Sequence, residues 1–303
     1  MKPFLYRIFV FSIRVSLLNT EESRMKKILN TFLPKIIGFY FNTASLFAPK
    51  AIANKAFKLF CSPRKGRVLP IQLAFLEQAK AARLQIGNTT IQTYKWEGSG
   101  PTVLLMHGWE SNSYRWQSVI TQLQKEGYTI IAMDAPAHGN SSGALLHIPA
   151  YVVCAEKVIQ TYQPTYLIGH SMGGMAMLYH QYKYPNPTIT KMVSLGAPTE
   201  LSDFIRQYKT ILGLNKRMVN HLESHFITNF GFSFAEFSTS KFAKEISTKG
   251  LIIHDKLDEV VPIWCAEQLH KNWKNSTLII TKNLGHSLQQ KEVTAKVVAF
   301  LNS

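Results

Sequence analysis

Three stretches of this sequence carry side chains suited to nucleophilic catalysis. They are the serine turn Gly169-His170-Ser171-Met172-Gly173, the acidic run His254-Asp255-Lys256-Leu257-Asp258-Glu259, and Leu284-Gly285-His286. A serine hydroxyl is a poor nucleophile near neutral pH unless a base takes its proton, and imidazole is the side chain whose pKa suits that exchange. A carboxylate on the far ring nitrogen holds the right tautomer and steadies the imidazolium. Together the three residue types support acyl transfer through a covalent serine intermediate. A bare Gly-x-Ser-x-Gly arises often by chance, so the elements around it must decide.

Those elements agree. Tyr166-Leu167-Ile168 is a short apolar run before the turn, and Met175-Ala176-Met177-Leu178 after it is helix-forming. A serine on a strained strand-to-helix turn needs neighbours without a Cβ, which Gly169 and Gly173 supply. The turn also aims the Met172 N–H, at a helix N-terminus, toward developing negative charge. Further β-rich runs at Thr102–Met106, Thr129–Met133, Lys191–Leu195, Leu251–Ile253 and Thr277–Ile280 alternate with helical stretches. Such runs predict a mostly parallel sheet with both faces covered by helices. Leu84–Trp96, split by Gly87-Asn88, predicts an antiparallel edge hairpin, and Ile71–Ala82 a short helix. In a sheet of this kind functional groups gather beyond the carboxyl ends of the strands. There stand His107-Gly108-Trp109, Asp134 to Gly139, the serine turn, the acidic run and His286.

On these motifs, and on the chain order serine, acid, histidine, residues 83–302 resemble the α/β-hydrolase fold family, specifically its lid-bearing serine esterase and lipase-like members. The resemblance implies an α/β fold with Ser171 as nucleophile, Asp258 as acid and His286 as base. The N–H groups of Trp109 and Met172 would form the oxyanion hole. Asp255 competes for the acid role because it directly ends a strand; Asp258, before Val260-Val261-Pro262, is favoured because the family places its acid there. Tyr114 and His107 are candidates for the substrate pocket, His107 also for shaping the oxyanion turn. Ala137 stands where the family usually has glycine. Residues 199–246, rich in aromatic side chains, would be a helical lid within a domain spanning 71–303. The implied reaction is hydrolysis of carboxylic esters of small or apolar substrates. Thioesters, lactones and carbon–carbon bonds remain open, as does a binding protein that has lost turnover. A serine nucleophile disfavours dehalogenase and epoxide-hydrolase chemistry. No cofactor is expected, and the remaining histidines lack the spacing of a metal site.

The charge is unevenly placed. Of the net +16 carried by 303 residues, +11 lies in residues 1–70, where 13 Lys/Arg face only Glu21 and Glu22. This basic, apolar arm is expected to be helical, interrupted at Pro34 and Pro49, and either to touch a membrane surface or to pack on the domain. No nucleic-acid module is present, so nucleic acid ranks below the membrane. Residues 4–15 are apolar but contain Arg7 and Arg14, too charged for a spanning helix and poor as a signal sequence; Met25 is a second candidate start. Cys61, Cys154 and Cys265 are odd in number and widely separated, which argues against disulfides and zinc and for a reducing compartment, hence a cytoplasmic, membrane-associable protein. Oligomeric state is not legible.

Overall fold

The computed structural model describes the backbone from residue 20 to 303 and side chains from residue 32; the apolar stretch 4–15 lies outside the described residues. The chain divides into two compact units. One comprises residues 62–199 and 239–303, the other residues up to Cys61 together with Glu200–Ser238.

The larger unit is an eight-stranded sheet. Its strands are β1 (Lys80–Ile86), β2 (Thr89–Trp96), β3 (Thr102–Met106), β4 (Thr129–Met133), β5 (Tyr166–His170), β6 (Lys191–Leu195), β7 (Lys249–Asp255) and β8 (Ser276–Thr281). They run in the order β1-β2-β4-β3-β5-β6-β7-β8. The β1/β2 hairpin and the β2/β4 pair are antiparallel, and every other pair is parallel. All five residues of β4 are buried, as are four of five in β3, β5 and β6. Strands covered on both faces read as continuous apolar runs, which is why they were visible in the sequence. The helix expected at Ile71–Ala82 ends at Leu76, and Lys80–Ala82 instead opens β1. Cross-strand pairing of Lys80, Ala81 and Ala82 with Lys95, Tyr94 and Thr93 satisfies backbone groups that a longer helix would have claimed.

Order reverses at β3, which has β4 on one side and β5 on the other. Crossovers leave in opposite directions there, so a crevice opens beyond the carboxyl ends of β3 and β5. The segments entering it are His107-Gly108-Trp109 and Ser171.

The smaller unit is helical: α1 (Thr20–Ala44), α2 (Pro49–Cys61), α7 (Leu201–Leu212) and α8 (Lys216–Phe230). The helices between them in the chain, α3 (Pro70–Leu76), α4 (Gln117–Lys125), α5 (Ile148–Tyr162) and α6 (Met172–Lys183), belong to the sheet unit. Phe57 of α2 packs on Phe226 and Phe230 of α8 with ring centroids 5.4 and 5.6 Å apart. The Tyr208 hydroxyl donates to Ala56 O at 2.8 Å, and Asn42 donates to Gly213 O and accepts from Asn215 N–H, both at 2.9 Å. At Gly38 a Cβ would overlap the Leu212 carbonyl, so α1 reaches α7 only without a side chain there. The basic arm up to Cys61 and the 200–238 part of the insertion therefore share one unit, while residues 62–70 of the arm and 239–246 of the insertion stay with the sheet.

Candidate active site

Ser171 joins β5 to α6 with φ 52° and ψ −122°, a backbone that L residues rarely adopt. The turn is tight on every side. A Cβ on Gly173 would overlap Met106 O, one on Gly174 would lie 2.8 Å from Ala197 Cβ, and one on Gly108 would lie 2.8 Å from Ser171 Cβ. The segment after β3 therefore runs directly against the serine, and only glycine permits it.

Ser171 Oγ lies 3.1 Å from His286 Nε2, and His286 Nδ1 lies 2.7 Å from Asp258 Oδ2. These three side chains, 115 and 28 residues apart along the chain, thus form one hydrogen-bonded series. Asp258 is 6 % exposed, and its other oxygen accepts the Val260 and Val261 N–H groups at 2.7 and 2.9 Å. With Oδ1 fully used by the backbone, Oδ2 is left for the imidazole, which must donate from Nδ1 and present a bare Nε2 to the serine. Asp255 goes elsewhere. It accepts from Leu257 N–H, Leu284 N–H and the Thr281 hydroxyl, each at 2.9 Å. Burial would raise its pKa, but these donors outweigh burial and hold it below the usual carboxylate value. Asp255 ties the acidic loop to the loop that carries His286.

The turn after β3 is built on neutral histidines. His107 Nε2 accepts the Ala135 N–H at 2.9 Å, so its proton sits on Nδ1 and is donated to Gly108 O at 2.7 Å. His138 repeats the pattern, with Nε2 accepting from Glu110 N–H and Nδ1 facing Pro136 O, both at 2.9 Å. Burial pushes His107 down to about 4; burial first, then the cost of protonating beside the His107 ring, pushes His138 to about 3. Because His107 is 0 % exposed with both nitrogens occupied, it does not line a substrate pocket. Tyr114 leans edge-on against Phe75 at 5.9 Å and packs on the core. Trp109 lies edge-on to His138 at 5.6 Å. Among the described residues neither the Trp109 nor the Met172 N–H donates to another protein group.

Four residues around the series had no assigned role in the sequence. Asp134, buried after β4, accepts from Ser113 N–H, Ser113 Oγ and Asn140 N–H at 2.8, 2.7 and 2.8 Å, pinning the loops behind the turn after β3. His170 Nε2 lies 2.8 Å from His286 O, and burial first, then Arg115, keep it far below its usual pKa. Neutral, it donates to that carbonyl. Arg115 donates to Ser287 O at 2.8 Å while its own carbonyl accepts from Gln289, so the loop carrying His286 is clamped twice. His254 donates to Val261 O at 2.8 Å and stands 3.5 Å from Asp258 Oδ2. For Asp134, His170 and His254 the one signal that could have found them is their place at a strand end; Arg115, nine residues beyond β3, carries no such signal.

The family profile described as alpha/beta hydrolase fold matches residues 101–223. An esterase structure from Exiguobacterium antarcticum superposes with a TM-score of 0.59 at 20 % identity, covering 74 % of this chain and 100 % of that one. The chain has the α/β-hydrolase fold. Another structure of this fold, Est1E from Butyrivibrio proteoclasticus with ferulic acid bound, gives 0.60 at 18 % identity over 73 % of this chain and 98 % of that one. By sequence, this hydrolase-fold chain is 28 % identical over 133 residues, 43 % of its length, to a bifunctional esterase/perhydrolase of Acinetobacter calcoaceticus, of which the match spans 48 %. It is 24 % identical over 263 residues to a non-heme haloperoxidase of Rhodococcus erythropolis, covering 69 % of this chain and 95 % of that one. Among the described residues of the α/β-hydrolase fold no three His, Cys, Asp or Glu side chains gather as a metal ion would require, and no helix is long and apolar enough to cross a membrane.

Proposed function

We propose that the protein is a serine hydrolase of carboxylic esters that works through an acyl-enzyme on Ser171. The observation that carries this reading is the bare His286 Nε2 held 3.1 Å from Ser171 Oγ, its other nitrogen fixed on Asp258. As Oγ attacks the ester carbonyl, its proton passes to Nε2, and the imidazolium formed is stabilised by the Asp258 carboxylate. Negative charge grows on the carbonyl oxygen, for which the Trp109 and Met172 N–H groups are the donors. The tetrahedral species collapses when Nε2–H protonates the departing alkoxide, which releases the alcohol. Water then attacks the acyl carbon while Nε2 takes its proton, and collapse returns that proton to Oγ as the acid leaves. The esterases among the proteins it resembles support this substrate class.

The test is a pre-steady-state burst with a p-nitrophenyl ester, together with labelling by a fluorophosphonate. The wild type is expected to give a burst of one nitrophenolate per active site and a covalent adduct on Ser171, and Ser171→Ala neither. A folded, unlabelled wild-type protein would instead make this a binding module on a hydrolase scaffold.

A further inference from the structure

An amphipathic helix normally turns its apolar stripe to the core. In the smaller unit α1 carries a second stripe that it does not bury. Pro34, Gly38 and Phe41 face inward. Phe32, Ile36, Phe39 and Tyr40, spread over roughly 100° of the helix at 3.6 residues per turn, are 59, 60, 72 and 46 % exposed. The stripe continues into the turn before α2, where Leu46 is 56 % and Phe47 86 % exposed. Isolated exposed apolar residues are ordinary, but six large ones within sixteen positions, on one face and one adjoining turn, mark a surface that meets something apolar.

Charge selects the partner. From Phe32 to Cys61 the chain has four lysines and no acidic residue. Lys55 lies along the stripe, its Nζ 3.1 Å from the Tyr40 hydroxyl and 5.7 Å from the ring centroid, an apolar stem beside the aromatic with its charge at the edge. Two copies of such a face would bring like charges together, whereas an anionic headgroup layer neutralises them over an apolar interior. No described helix can span a bilayer, so the stripe suits a helix lying in the headgroup region.

We infer that α1 and the turn before α2 form a docking surface for an anionic lipid bilayer, with Phe32, Ile36, Phe39 and Phe47 inserting and Lys50 and Lys55 on the headgroups. The full-length protein is sedimented with vesicles of phosphatidylcholine and with vesicles of equal parts phosphatidylcholine and phosphatidylserine. The wild type should bind the anionic vesicles more strongly, and less so as salt is raised. Phe39→Ser with Phe47→Ser should lower that partition at least about tenfold. Lys50→Glu with Lys55→Glu should abolish the preference for phosphatidylserine. Ile71→Ser, at an exposed residue of the sheet unit, should change nothing. Equal sedimentation of the Phe variant and the wild type would overturn the assignment, as would a wild type that fails to bind. Light scattering that shows a wild-type dimer broken by the Phe variant, with no vesicle binding, would make the face an interface between copies and also overturn it. None of these readouts involves ester turnover, so the outcome is independent of the proposed reaction.

Discussion

Asp258→Asn removes the charge of the acid while keeping its shape, and the hydrogen bonds around the carboxylate determine how the site responds. An asparagine has one carbonyl oxygen for the two positions that Asp258 fills. Oδ1 accepts two backbone N–H groups, at 2.7 and 2.9 Å, and Oδ2 accepts one imidazole N–H at 2.7 Å. Placing the NH2 against Val260 and Val261 would set donor against donors and strand both N–H groups, at about 1–3 kcal/mol each. The oxygen therefore stays on the backbone and the NH2 turns to His286 Nδ1. That nitrogen must then accept, so the ring proton moves to Nε2 and faces Ser171 Oγ. With no base on the serine, kcat should fall by about 10⁴-fold, or about 5.5 kcal/mol of transition-state stabilisation, with KM and thermal stability little changed. The assay is steady-state release of p-nitrophenol from p-nitrophenyl acetate, with Asp255→Asn alongside. Asp255→Asn should instead lower stability by about 1–3 kcal/mol, because its contacts are to the backbone of two loops. A D258N variant within tenfold of wild type, or a larger kinetic loss in D255N, would refute this division of roles.

Backbone strain and burial set three further outcomes. Ser171→Gly should abolish activity yet raise stability by about 1 kcal/mol in urea unfolding, because relief of the φ 52°, ψ −122° backbone exceeds the entropy that glycine adds to the unfolded chain; a less stable variant would contradict the strain. Ala137, with φ 65°, occupies a left-handed position that suits glycine, so Ala137→Gly should fall within about 0.5 kcal/mol of wild-type stability as the same two terms nearly cancel, measured the same way. His107 and His138, held at about 4 and about 3 by burial, stay neutral in the folded protein while the unfolded chain protonates them below about 6.5. Stability should therefore fall on acidification from pH 6.5 to 5, by up to about 1.4 kcal/mol per pH unit for each histidine; identical urea midpoints at pH 7 and 5 would rule this out.

Much of the architecture could be read directly from residue order. Continuous apolar runs located the six parallel-sheet strands to within two residues, because strands buried on both faces leave no room for polar positions. The glycines at 169 and 173 marked a turn where backbones touch, since only a missing Cβ allows that approach, while the contact of Gly108 with Ser171 came from the tertiary structure. The motifs and their chain order carried the resemblance to the α/β-hydrolase fold family, and that resemblance nominated Ser171, Asp258 and His286. Other features depended on groups distant in sequence. Asp255 and Asp258 are equivalent as letters, and only the positions of Val260, Val261, Thr281 and Leu284 show which one has an oxygen left for imidazole. His107 is chemically able to meet a substrate, and it is the Ala135 N–H and complete burial that occupy it. The basic arm did not reveal that it would join residues 200–238, because the Phe57 and Tyr208 contacts bridge some 150 residues of chain. Periodicity gave α1 its helix, although the helix runs unbroken through the Pro34 expected to interrupt it; it did not give the exposed stripe, since which apolar face stays in water is decided by what the rest of the chain covers.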